Sequence, residues 1–293
     1  MSTPALAARR LVVADYLALT KPRITLLVVL TTWVGFEAAG PRVSRGATVF
    51  ATLFGTGLLA AGASALNMLL ERRTDALMHR TRSRPLAAGR LRPVEGLGFG
   101  VLLTLLGLCL LLWQAGTLAA AVALLTWSSY LFLYTPLKAR TSLSTIVGAF
   151  PGALPPVIGW AAARGALEPG AFLLFAIVFL WQIPHFLAIA WIYRDDYARG
   201  GLPMLPVLDR DGRMTGRQAV ANTIALLLVS LMPTAAGMAG TIYFAGALLL
   251  GLGLLAIATH AAVVRTIEAA RRLFLASVLY LSALCTLLLV DRL

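Results

Sequence analysis

The chain has 293 residues, 59% of them hydrophobic and only 13% charged, with a mean hydropathy of +0.85, which is more apolar surface than a water-soluble domain can bury. Two cysteines and three histidines exclude a disulfide framework, a zinc site, a covalent haem attachment motif and a multi-histidine metal centre, so any metal should be held by oxygen. A net charge of +13 could be the footprint of a nucleic-acid binder, but the placement of the basic residues accounts for it as a topology signal, and no nucleic-acid partner is expected.

A bilayer core of ~30 Å needs roughly 20 helical residues. On that measure the chain is expected to be an all-α polytopic membrane bundle of about nine transmembrane helices around a central cavity open to the cytoplasmic side. The spans fall near residues 20–39, 46–70, 94–114, 117–135, 142–163, 170–192, 218–238, 241–263 and 272–290. Together they are expected to form a single membrane-embedded domain over residues 1–293. The first stretch is long and lacks a small-residue cleavage site, and it should remain as an anchor. Cys109 and Cys285 lie inside spans and read as small buried hydrophobes. Pro151, Pro155 and Pro156 interrupt the fifth span and should bend it, and Pro184 should kink the sixth.

Short loops rich in Lys and Arg stay on the cytoplasmic side. With the N-terminus inside, only Arg42, Arg45, Arg164 and Arg292 of the 25 basic residues fall outside. The expected orientation is therefore N-terminus cytoplasmic and C-terminus outside. Two long cytoplasmic loops, about 67–92 and 193–217, hold half of the acidic residues, and loops of that length are uncommon unless functional.

Asn67, Glu71 and Asp75 recur every four residues, so a helix continuing past the membrane edge would line three oxygen side chains on one face. That set suits a hard cation such as Mg²⁺, whose coordination is usually completed by water and substrate phosphates. Arg72, Arg73, Arg80, Arg82 and Arg84 lie in the same loop and could meet phosphate oxygens; equally, they could fix topology while the acids balance them in water. In the second loop Asp195 and Asp196 are adjacent and cannot share a helix face, so one should coordinate and the other be solvated. The four intervening spans suggest a weak internal repeat whose halves face each other.

These residues resemble the intramembrane (UbiA) prenyltransferase superfamily, and within it the protohaem IX farnesyltransferases, or haem O synthases. The resemblance runs from Thr20-Lys21-Pro22-Arg23 through the Asn67 segment to Arg84-Pro85-Leu86, then Tyr134-Thr135-Pro136-Leu137-Lys138 and Pro151 to Trp160. It continues through Trp181 to Phe186, Asp196-Tyr197 and Gly201 to Val207, covering most of residues 20–210. Glu71 and Arg73 stand where the family usually has Asp, which leaves metal number and affinity open.

The resemblance implies Mg²⁺-dependent transfer of a farnesyl group from farnesyl diphosphate to a vinyl group of haem B, giving haem O for haem-copper oxidases, with a haem A synthase as a further partner. It assigns Asn67, Glu71, Asp75 and Asp196 to metal and diphosphate coordination, and Arg23, Arg80, Arg84, Lys138 and Arg140 to phosphate. Tyr134, Tyr193 and Asp195 join the substrate-binding set, although interfacial anchoring also explains the tyrosines. His185, deep in a span, could meet the acceptor as an iron ligand or by a hydrogen bond, or could simply bond between helices. Two other readings stand beside this one. A sister prenyltransferase would use an aromatic or quinone-precursor acceptor, and a transporter would share the proline-broken helices, although its acids belong near the midplane, where this chain has almost none.

Overall fold

The computed structural model describes residues 4–40 and 45–292. Arg42 lies outside them, and so do the side chains of Arg9, Arg10 and Arg45. The described chain is all-helical apart from one isolated bridge between Ala239 and Arg292.

Helix α1 (Pro4–Leu19) and α2 (Pro22–Ala38) meet at a 43° bend. Pro22 sits at the start of α2, where its missing N–H costs nothing, and Lys21 before it adopts a left-handed backbone with φ 46°. Helix α3 (Arg45–Leu77) runs unbroken for 33 residues, well past the end of its apolar stretch. Next come α4 (Pro93–Leu110), extended by a π-turn over Leu111–Ala115, and α5 (Thr117–Ser128), extended by a second π-turn over Ser129–Tyr134 into the short α6 (Thr135–Leu137).

The fifth expected span is two helices, α7 (Ser144–Ala153) and α8 (Pro155–Arg164), broken at Leu154 where Pro155 and Pro156 begin the second. Helix α9 (Pro169–Ile192) passes through Pro184 without interruption. It leads into the short α10 (Arg194–Arg199) and α11 (Leu205–Leu208). The long helices α12 (Arg213–Ala235), α13 (Thr241–Val264) and α14 (Ile267–Val290) complete the bundle. Among the described residues eight helices are long and apolar enough to cross a membrane, and the bent α1–α2 pair makes a ninth, in agreement with the expected count. The first span differs from expectation in beginning with a separate helix, because the Lys21-Pro22 junction turns the chain.

Inside lipid no water is available to backbone or hydroxyl groups, so polar side chains in these helices bond back to their own turn. Thr32 donates to Val28 O at 2.8 Å, Thr104 to Gly100 O at 2.8 Å and Ser230 to Leu226 O at 2.7 Å. Helices cannot be driven together by water exclusion here, and small residues let their backbones approach instead. One close crossing joins α2 to α8: a Cβ at Gly159 would stand 1.9 Å from Thr32 O, and one at Gly35 would stand 2.0 Å from Pro156 O. Both obstacles are backbone, which cannot swing aside. Gly159→Val should therefore cost more than about 2 kcal/mol through overpacking and lower the thermal midpoint in detergent. Gly98→Ala, at an exposed α4 position where a new Cβ meets nothing within 4 Å, should leave that midpoint unchanged or raise it.

Candidate active site

Because α3 continues to Leu77, Asn67, Glu71 and Asp75 do share one face, and each meets a cation or donor brought from elsewhere in the chain. Asn67 is 2% exposed. Its Oδ1 accepts a hydrogen bond from Lys21 Nζ at 2.8 Å, while its Nδ2 donates to Thr135 Oγ1 at 3.1 Å. Thr135 spends its own proton on Tyr130 O at 2.8 Å, a carbonyl of the π-turn. The threonine hydroxyl can therefore only accept from Asn67, and this fixes the amide with its oxygen toward Lys21.

Glu71 Oε1 pairs with Lys138 Nζ at 2.9 Å, both side chains being close to nine-tenths buried. Asp75, 1% exposed, pairs through Oδ2 with Arg84 at 2.7 Å, and its backbone carbonyl accepts from Thr81 Oγ1 at 2.9 Å. Its second oxygen, Oδ1, is buried without any hydrogen-bond partner. A carboxylate oxygen orphaned in this way is costly unless a further partner is meant for it. Among the described residues no three His, Cys, Asp or Glu side chains converge as a complete metal site. The donor set is two carboxylates and one amide, which suits a cation that takes the rest of its shell from water and phosphate.

The second loop docks onto the first through Asp196. Its carboxylate accepts backbone N–H bonds from His79 at 2.9 Å and Arg80 at 3.0 Å and pairs with Arg199. Burial pushes this carboxyl up, but Arg199 and the two amides outweigh it and hold the group near 2, below the ordinary 3.8. Arg80 lies over the rings of Tyr193 at 4.9 Å and Tyr197 at 5.6 Å and donates to the Tyr197 hydroxyl. Tyr134 stacks on Tyr130 with centroids 5.5 Å apart, beside the Glu71–Lys138 pair.

Asn67, Glu71, Asp75, Arg84 and Lys138 thus converge, with Asp196, Arg80 and Tyr193 closing one side. Arg23, Arg140 and Asp195 do not join them: all three are exposed, and Asp195 has only Arg194 near it at 3.8 Å. His185 lies apart, against α14. Sequence reading counted Lys21 as a topology charge and gave Thr135 no role. The signal for Lys21 was its place immediately before the helix-starting Pro22, where a turn redirects the side chain.

An acidic helix end ringed by cations at the rim of a lipid-embedded helical bundle defines an intramembrane prenyltransferase, and the chain belongs to the UbiA prenyltransferase family, whose model matches residues 28–284. Within it the chain stands with the protoheme IX farnesyltransferases. It is 49% identical over 287 residues to that of Solibacter usitatus, covering 95% of this chain and 98% of the relative. It is 46% identical over 279 residues to that of Salinibacter ruber, covering 94% and 98%. Among solved structures, a digeranylgeranylglyceryl phosphate synthase superposes with a TM-score of 0.79 at 15% identity, over 95% of this chain and 98% of that one. A UbiA homologue from Archaeoglobus fulgidus bound to GPP and Mg²⁺ superposes with a TM-score of 0.67 at 17% identity, over 94% and 99%.

Asp196→Asn should undock the loops, lowering hydrogen-exchange protection of the His79 and Arg80 amides by on the order of tenfold or more, as expected for lost bonds to a charged acceptor. Since the folded carboxyl titrates below its unfolded value, its contribution is complete above about pH 4. In the wild type, protection of the same two amides should fade only as the pH drops from there toward 2.

Proposed function

We propose that the protein transfers the farnesyl group of farnesyl diphosphate to a vinyl group of haem B, giving haem O. The observation that carries this is the buried, unpartnered Asp75 Oδ1 within a face of paired carboxylates and cations, in a chain 49% identical to one protoheme IX farnesyltransferase. The donor set fits Mg²⁺, with Asn67, Glu71 and Asp75 as its holders. When bound, the ion would neutralise charge on the diphosphate oxygens.

Each cation now paired with the acidic face would turn toward phosphate as the substrate enters. Lys21, Lys138 and Arg84 are placed to do so, and Arg80, held between two tyrosine rings, covers the opening. Together they stabilise the charge that develops as the allylic carbon–oxygen bond breaks and its electron pair leaves with the diphosphate. The vinyl group of haem then forms the new carbon–carbon bond at the farnesyl carbon, and water captures the resulting cation beside the porphyrin and gives up a proton. Premature water would waste the donor, and the loop docking through Asp196 delays its entry. Asp196 acts here by positioning Arg80 rather than as a metal ligand, because its oxygens already serve His79, Arg80 and Arg199. Arg23 and Arg140 form an outer basic rim that attracts the diphosphate.

The charge bias supports a bacterial cytoplasmic membrane protein with its N-terminus inside, whose site would face the cytoplasm. Haem O would then serve haem-copper oxidases directly or after a haem A synthase. Incubating purified protein with farnesyl diphosphate, haem B and Mg²⁺ should yield a product of haem O mass. Turnover of an aromatic acid or quinone precursor with haem inert would overturn the acceptor assignment. Chelation should abolish turnover and Mg²⁺ restore it, and Asp75→Ala should lower it by on the order of 10²-fold or more.

A further inference from the structure

His185 is held more completely than packing of a small ring requires. Its faces are covered by Trp181, with centroids 4.8 Å apart and planes at 26°, and by Phe274, at 5.0 Å and 34°. Trp181 is itself locked by an indole N–H bond to Ser277 O at 2.6 Å. His185 Nδ1 lies 2.8 Å from Ser277 Oγ, and that hydroxyl donates its single proton to Phe274 O at 2.7 Å. The imidazole must therefore be the donor to serine, which leaves the lone pair on Nε2. Among the described residues nothing hydrogen-bonds Nε2.

The depth of this nitrogen suits the reaction. His185 stands seven residues before Ile192 and Asn67 ten before Leu77, about 10 and about 15 Å from the ends of their helices at ~1.5 Å per residue. Both helices run in the same direction. Their ends are tied at one level by the Asp196 bonds to His79 and Arg80 and by Arg80 on Tyr193. A neutral imidazole with a fixed tautomer, one ring N–H engaged and the other nitrogen open is the arrangement of a metal-binding histidine.

Resting on the haem reading above, we infer that His185 Nε2 ligates the iron of the haem acceptor, with Ser277 fixing the tautomer and Trp181 and Phe274 fixing the ring plane. Iron held there would set the acceptor within about one helical turn of the level of Asn67, where the farnesyl carbon would lie. The histidine thus orients a flat acceptor that has few other directional contacts in an apolar site.

The test titrates ferric haem B into purified wild-type protein and variants and follows the Soret and visible bands. The wild type should give a histidine-ligated spectrum, and His185→Gln should lose it while still binding farnesyl diphosphate with Mg²⁺, which shows the fold intact. Free imidazole should restore the spectrum in His185→Gly, and Ser277→Ala should weaken haem binding by roughly tenfold. An unchanged spectrum in His185→Gln with haem still bound would overturn the ligand assignment and leave the farnesylation reading standing. Wild-type protein that yields no farnesylated haem would overturn both.

Discussion

Everything at the candidate site follows from the difficulty of keeping carboxylates at the edge of a lipid-embedded bundle. Opposite unit charges about 4 Å apart attract by about 4 kcal/mol in a medium of effective dielectric constant near 20, and an unpaired one pays a desolvation cost of several kcal/mol. The chain meets that demand with one cation per acceptor: Lys21 for Asn67, Lys138 for Glu71 and Arg84 for Asp75. These contacts come from the start of α2, the segment after α6 and the loop after α3, so the acidic face is also what gathers those elements. On the proposed reading the same cations exchange carboxylate for phosphate when substrate and Mg²⁺ arrive. Charge stays balanced in both states, and little of the binding energy is lost to stripping bare ions of solvent.

The scaffold holds this arrangement by close backbone contact. Gly35 and Gly159 bring α2 against α8, which sets the start of α2 and with it Lys21. On the other side of the site Thr135 links the π-turn to Asn67, so a local irregularity in one helix determines which way the amide of another points. Asp196 belongs to the same architecture. Its worth lies in tying the end of α3 to the end of α9, and through that tie Arg80 is stationed between Tyr193 and Tyr197.

The bundle was readable because a lipid core imposes length and hydropathy on each crossing, and the expected spans coincide closely with the helices. Spacing made the shared acidic face conditional on continuation beyond the lipid, and the structure supplies that continuation. The apolar run of α3 ends near Leu70, but the helix proceeds to Leu77, and only that extra length aligns Glu71 and Asp75 with Asn67. Pro155 and Pro156 did break their span, whereas Pro184 left α9 whole, because neighbouring contacts decide whether a freed carbonyl bends the helix. The acidic residues announced themselves by spacing. Their pairing did not: Lys138 and Arg84 were expected on phosphate and Lys21 only as a boundary charge, and the fold brings Lys21 and Lys138 across 46 and 67 residues of chain to Asn67 and Glu71. Arg23 and Arg140, equally basic in the sequence, ended at the rim.

Those separations set an order of events during synthesis. Asp75 and Arg84 are nine residues apart and can pair as soon as their loop leaves the ribosome. Glu71 must wait for Lys138, and the His79–Arg80 amides wait 117 and 116 residues for Asp196. At roughly 5–20 residues per second the nascent chain therefore spends several seconds to some twenty seconds with a half-built acidic face at the membrane surface.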